Sequence, residues 1–182
     1  MSAALFRHCS RCGCGGMTAI GSREVVCDAC GYRHFLTPIP AACALVLDRH
    51  DRLLIARRAH EPGLGKWGIP GGVIEPWESA EAAASRELLE EVGVELPSAA
   101  FTYLVSLNNR YLFQDFVWPT LDLCFVARVD GDVEVHPDPA EVLETRWCPL
   151  HAVPLDDFAF QSSIDAVRLL TERAARDKPS RL

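Results

Sequence analysis

The sequence has no apolar run able to cross a bilayer. Its longest, Ile39 to Leu47, contains a proline and several small residues and falls well short of the roughly 20 residues a spanning helix needs. The opening stretch Met1–His8 has no signal-peptide core and runs at once into cysteines, so a cytoplasmic protein is the expectation. No repeat of fixed period and no low-complexity segment is present. A basic surplus is also missing, since 18 Lys and Arg face 25 Asp and Glu for a net charge of −7. Residues 1–37 hold Arg7, Arg11, Arg23 and Arg33 against Glu24 and Asp28, a balance of +2, and the remaining 14 basic and 23 acidic residues leave −9. Such an acidic body does not displace counterions from a phosphate backbone, so nucleic acid is not an expected partner and neither is a membrane. An anionic substrate would need a divalent cation as mediator.

What is present begins with eight cysteines. Cys43, Cys124 and Cys148 sit in apolar, strand-like runs and read as small core residues. Cys14 is left over in a glycine-rich turn. The other four form two knuckles, Cys9-x-x-Cys12-Gly and Cys27-x-x-Cys30-Gly, separated by 14 residues. Each CxxC turn aims two thiolates at one centre, and four in tetrahedral array suit a structural Zn²⁺ with no open position. Disulfides and unused thiols are the alternatives. The segment is too poor in large apolar residues to have a core, which favours the metal. His8 and His34 read as bystanders. Residues 1–37 are therefore a candidate zinc ribbon, and 38–182 the main domain.

In the main domain, Ala41–Leu47 and Arg52–Arg58 read as strands joined by the polar turn Asp48–Asp51. Residues 61–66 read as a loop, and Pro70-Gly71-Gly72 excludes regular helix. An Ala- and Leu-containing helix is expected over Ser79–Val92, stopped by Gly93. Further strands are expected at Phe101–Leu107, Tyr111–Val117, Leu121–Val129 and Thr145–Cys148, with a closing helix over 161–176. This order reads as α+β, a mixed sheet with helices on both faces.

On the first helix, Glu87, Glu90 and Glu91 are spaced i, i+3, i+4 and share one face. Crowded carboxylates repel one another unless a cation sits among them, and Mg²⁺ or Mn²⁺ takes such oxygen ligands together with substrate phosphates. A solvated acidic face is the alternative, and the surrounding residues decide against it. From Gly72 the chain reads five residues, Glu78, seven residues, Arg86-Glu87-Leu88, Glu90-Glu91, then Gly93-Val94. Seven fixed residues at about 6–7% background each would coincide in well under one in about a million chains. The pattern resembles the Nudix box, in detail over 72–94 and in layout over 41–172.

That resemblance implies a Nudix α/β/α sandwich and hydrolysis of a nucleoside diphosphate linked to a second group X. It implies Glu87, Glu90 and Glu91 as Mg²⁺ or Mn²⁺ ligands, the Gly71 carbonyl as a further one, and Arg86 and Glu78 as their ion-paired supports. A carboxylate on a later loop would share in activating water, with Glu141 the candidate and Glu144 and Asp138 its rivals. Many relatives have glycine where this chain has Trp77, which is expected to pack on its loop rather than stack on a base. A ribbon joined to a Nudix domain is similar to the NADH pyrophosphatase group and to ribbon-bearing proteins acting on ADP-ribose or flavin dinucleotides, and it implies a homodimer. The Ser-Gln-Pro-Trp-Pro-Phe-Pro run of NADH-specific members is absent. In its place, Tyr103–Asp122 is a candidate substrate lip, with Arg110 for phosphate and Tyr111 or Trp118 for adenine. An ADP-ribose-, NADH- or FAD-like compound is the expected substrate. A ligand sensor without turnover and an enzyme removing nucleotide caps from RNA are the alternatives.

Overall fold

Alternation along two central strands accounts for the layering. The computed structural model describes residues 6–130 and 133–176. In β4 (Ile39–Leu47), Ala42, Ala44 and Val46 enter one core, while Leu45 and Leu47 enter a second on the other face. β5 (Arg52–Arg58) repeats this, with Leu54 and Ala56 on one side and Leu53 and Ile55 on the other. Strands buried on both faces read as unbroken apolar runs, as these do.

Two short strands, β6 (Trp67–Gly68) and β7 (Gly71–Val73), pair antiparallel with β5 and β4. Helix α1 (Ala80–Val92) covers the first core with Ala83, Ala84, Leu88 and Val92. β8 (Thr102–Phe113), β9 (Phe116–Arg128) and β10 (Val142–Pro149) complete a seven-stranded mixed sheet whose main order is β10-β5-β4-β9-β8. Helix α2 (Gln161–Arg176) covers the second core with Ala166, Val167 and Leu170. The result is the expected α+β sandwich with one helix on each face.

The N-terminal residues form a separate three-stranded antiparallel sheet of β1 (Met17–Ile20), β2 (Glu24–Cys27) and β3 (Arg33–Phe35). Among its described residues the buried side chains are Val25, Cys27 and Cys9. By compactness the chain divides into two units, Met1–Ile39 with Arg110–Pro119, and Pro40–Asn109 with Thr120–Leu182.

The hairpin β8–β9 departs from the sequence expectation. The strands expected at 101–107 and 111–117 are one continuous strand and part of its partner, and the turn lies at Gln114-Asp115. Asn108-Asn109-Arg110 resembles a polar break, but the break falls where both central residues take positive φ, 49° and 63°. A two-residue turn of the I′ kind requires that geometry, and neither Gln114 nor Asp115 announces it as glycine would. The three ribbon strands were likewise not foreseen, for want of any apolar alternation.

Leu88 is fully buried and its neighbour Leu89 is 48% exposed. Leu88→Ala should therefore lower the urea-unfolding free energy by about 2–5 kcal/mol, and Leu89→Ala by about 0.5 kcal/mol or less. Equal losses would place the helix face incorrectly.

Candidate active site

Helix α1 is fixed at both ends. The Ser79 hydroxyl accepts a hydrogen bond from the Ala82 N–H at 3.2 Å, and Gly93, at φ 68°, donates its N–H to Leu89 at 2.9 Å. The cap residue at φ > 0 is one that only glycine adopts without cost. With the apolar stripe turned to the core, Glu87 and Glu91 fall at its margin and Glu90 points outward.

Arg86 organises these acids. Its Nε and Nη2 donate to the two carboxylate oxygens of Glu78 at 3.0 and 2.9 Å. Nη1 donates to Glu87 at 2.7 Å and to Glu90 at 2.9 Å, and Nη2 also reaches the Val73 carbonyl at 3.2 Å. The hydrogen bond from Arg86 holds the Glu78 carboxyl below its ordinary range. Burial pushes Glu87 up, against the pull of Arg86. Glu91 is pushed furthest, to about 8, by burial first and by the neighbouring Glu87 charge second. Its carboxylate accepts a hydrogen bond from the Gly71 N–H at 3.3 Å.

The glycine pair makes this approach feasible. A side chain at Gly72 would place its Cβ 2.5 Å from a Glu87 carboxylate oxygen, and one at Gly71 would strike the Ala42 carbonyl. Crowded, partly buried carboxylates pushed up in pKa are the donor set a hard divalent metal takes. Glu87 and Glu90 each turn an oxygen toward Arg86, so an incoming cation would compete with that guanidinium.

Among the three acids weighed for the later loop, Glu141 raises the pKa of both Glu87 and Glu91 through its charge and so stands near the cluster. Glu144 is occupied by Arg57 at 3.0 Å, and Asp138 accepts the Ala140 N–H at 2.9 Å and so fixes its own turn. Arg58, which the sequence reading missed, lowers the Glu91 pKa through its charge. Its Nε donates to the Pro62 carbonyl at 2.7 Å, and its guanidinium lies 5.0 Å from the Phe160 ring centre. The only signal for it was a charged pair, Arg57-Arg58, ending an apolar strand. Trp77 corrects an expectation: it packs on nothing and is fully exposed, at φ 72°.

Arg110, Tyr111 and Trp118 fall in the first compact unit, whereas the glutamates fall in the second. Tyr111 lies 6.3 Å from the Phe113 ring and Trp118 6.5 Å from that of Phe116, and the Trp118 Nε1 is enclosed without a hydrogen-bond partner. Their role as a substrate lip rests on residue type alone.

In the ribbon, the Sγ atoms of Cys9, Cys12, Cys27 and Cys30 all lie within 4.8 Å of one another, and all four cysteines are free. Gly13 and Gly31 donate back to the Cys9 and Cys27 carbonyls at 2.8 and 2.9 Å, each from a left-handed conformation. The two knuckles thus converge on one centre able to hold a metal ion. His8, His34 and Cys14 are outside this group. No described helix is long and apolar enough to cross a membrane.

The family model for the NUDIX domain matches residues 37–170. The chain belongs to the Nudix family. Its Nudix box is the Gly72–Val94 stretch that carries the Arg86 network. Among similar curated proteins, the "NAD-capped RNA hydrolase NudC" of Stutzerimonas stutzeri is 34% identical over 152 residues, covering 81% of this chain and 50% of the relative. The protein of the same name from Chromobacterium violaceum is 31% identical, covering 81% and 52%. The chain thus spans about half the length of these relatives. A NUDIX hydrolase structure from Nitrosomonas europaea superposes with a TM-score of 0.72 at 23% identity, covering 96% of this chain and 95% of that one, which bears on the fold alone. The NUDIX domain of Shewanella oneidensis NrtR, solved with ADP ribose, gives a TM-score of 0.62 at 25% identity, covering 76% and 89%.

The raised Glu91 pKa makes a pH prediction for the Nudix domain in chelator. The folded carboxyl keeps its proton to about 8, and the unfolded one loses it near 4.3. Between those values the folded state binds more protons, so stability falls as pH rises. The Tm of Glu91→Gln minus that of wild type should therefore grow from about pH 5 to about pH 8. A difference independent of pH would contradict the burial of this acid.

Proposed function

We propose that the chain is a Mg²⁺- or Mn²⁺-dependent hydrolase of the diphosphate linkage in a nucleoside diphosphate joined to a second group. The observation that carries this is the intact, partly buried set Glu87, Glu90 and Glu91 around Arg86, with two of its carboxyls driven upward in pKa. A protein that only sensed its ligand would have no need to keep so strained an arrangement of like charges. Glu87, Glu90, Glu91 and the Gly71 carbonyl would hold the metal. When bound, a divalent ion withdraws charge from the bridging phosphates and lowers the pKa of a coordinated water. Arg86, gripped by Glu78, keeps Glu87 and Glu90 in register on the helix face. Glu141, standing near Glu87 and Glu91, receives the proton of the attacking water.

The ion proposed for the ribbon is Zn²⁺, in a purely structural role, because four thiolates leave no open position. Four free thiols held for a metal fit a reducing compartment, which supports the cytoplasm. We divide the chain into the ribbon, residues 1–37, and the Nudix domain, residues 38–182. A dinucleotide-like substrate leads, with ADP-ribose ahead of NADH and FAD. The names of the similar proteins favour a second reading with the same chemistry, removal of a nucleotide cap from RNA. The acidic balance of the chain weighs against extensive contact with the RNA beyond the cap.

The test is a panel of ADP-ribose, NADH, NAD, FAD, diadenosine polyphosphates, nucleoside triphosphates and NAD-capped RNA, incubated with Mg²⁺ or Mn²⁺ and resolved by chromatography. The dinucleotide-like compounds should be cut most efficiently, and a nucleoside triphosphate as best substrate would overturn the reading.

On the best substrate, Glu90→Gln should lower kcat by ~10²-fold or more. Its melting temperature in chelator should hardly change, because Glu90 is exposed and its pair with Arg86 is a surface pair. Retention of more than about a tenth of wild-type kcat would remove Glu90 from the metal set.

For the ribbon, elemental analysis of reduced, tag-free protein should find about one zinc per chain. Cys27→Ser should lower that content and expose the ribbon to proteolysis. Zinc-free protein with an intact ribbon would sink the assignment.

A further inference from the structure

The loop between β7 and α1 carries an indole that no packing explains. Trp77 is fully exposed, and its φ of 72° is one at which an L side chain crowds its own backbone and glycine does not. The fold thus bears two costs here, apolar surface left in water and local strain, and glycine would relieve both.

The loop that presents this ring is tied down. The Glu78 N–H donates to the Glu75 carbonyl at 3.2 Å, and the Glu75 N–H to the Glu78 carboxylate at 3.0 Å. That same carboxylate grips Arg86, which holds Glu87. Trp77 is therefore one residue from a side chain two ion pairs away from the proposed metal. A base in a nucleoside diphosphate is likewise set off from its phosphates by a ribose. The ring's neighbours, Glu75 and Pro76, are exposed and Glu78 is partly so. An isolated ring beside carboxylates suits a single planar partner better than a broad apolar protein surface.

We propose that Trp77 is a specificity-determining residue that stacks on an aromatic base of the substrate. The proposal rests on the diphosphatase reading. Its distinct content is that this ring, and not only the Nudix box, contributes to recognition. Stacking on a base is worth roughly tenfold in affinity or more, and it acts in the ground state as well as the transition state, so it enters KM rather than kcat.

The experiment compares wild type, Trp77→Gly and Trp77→Phe in the full chain. KM and kcat are measured in Mg²⁺ for NADH, which carries adenine and a dihydronicotinamide ring, and for ADP-ribose, which carries adenine alone. Calorimetry with Ca²⁺ replacing Mg²⁺ gives Kd for the same compounds. Trp77→Gly should raise KM and Kd roughly tenfold for NADH at least, with kcat within about twofold and a melting temperature at or above that of wild type. Trp77→Phe should recover most of the affinity. Unchanged KM and Kd in Trp77→Gly would overturn the proposal, as would a Trp77→Phe protein as impaired as Trp77→Gly. If wild type cuts no member of the panel, the diphosphatase reading falls while the Kd comparison still decides the ring. Wild type that binds neither compound overturns both.

Discussion

One guanidinium among carboxylates is the constraint on which the acidic face of α1 depends. Arg86 donates to Glu78, Glu87, Glu90 and the Val73 carbonyl, a fork that a lysine's single ammonium could not reproduce. Glu91 lies outside that fork: the Gly71 N–H donates to it and the Arg58 charge favours its ionised form, yet burial and the Glu87 charge push its carboxyl up to about 8. The arginine offsets charge on Glu78, Glu87 and Glu90, while Glu91, the more deeply buried acid, carries the largest rise.

The sheet makes that arrangement available. Because β4 and β5 are buried on both faces, each can be flanked by a helix, and the strand pair β4–β7 brings Gly71 and Gly72 beside α1. The glycines let the backbone approach the glutamates, the capped helix aims them, and the antiparallel β5–β10 pair carries the strand that follows Glu141. The packed core holds α1 rigid, and the helix face with its flanking loops carries the polar groups.

Much of this was legible in the residues, for identifiable reasons. Ser79 and Gly93 bound a helix through hydrogen bonds local in sequence, so the ends of α1 could be read directly. The spacing of Glu87, Glu90 and Glu91 is a property of helix geometry, and the CxxC knuckles are a property of thiolate chemistry. What could not be read depends on partners far along the chain. Arg58 acts near Glu91, 33 positions away in sequence, and looked like the end of a strand. Glu141 was already the candidate from the sequence, but the pairing of its rival Glu144 with Arg57, 87 positions away, was not legible there. The hairpin turn was misplaced because Gln114 and Asp115 adopt left-handed backbone without a glycine to signal it. The exposure of Trp77 was misread because a large apolar ring is ordinarily assumed to find cover.

The contact between Gly72 and Glu87 also shapes how the protein can vary. Even alanine at position 72 would put a methyl into the space the carboxylate occupies. Glu87 would have to swing away, leaving Arg86 with one fewer oxygen. The two positions are therefore coupled: a side chain at 72 is admitted only if the Glu87 carboxylate gives up its place beside Arg86. Exposed positions on the same helix, such as Leu89, are under no such lock.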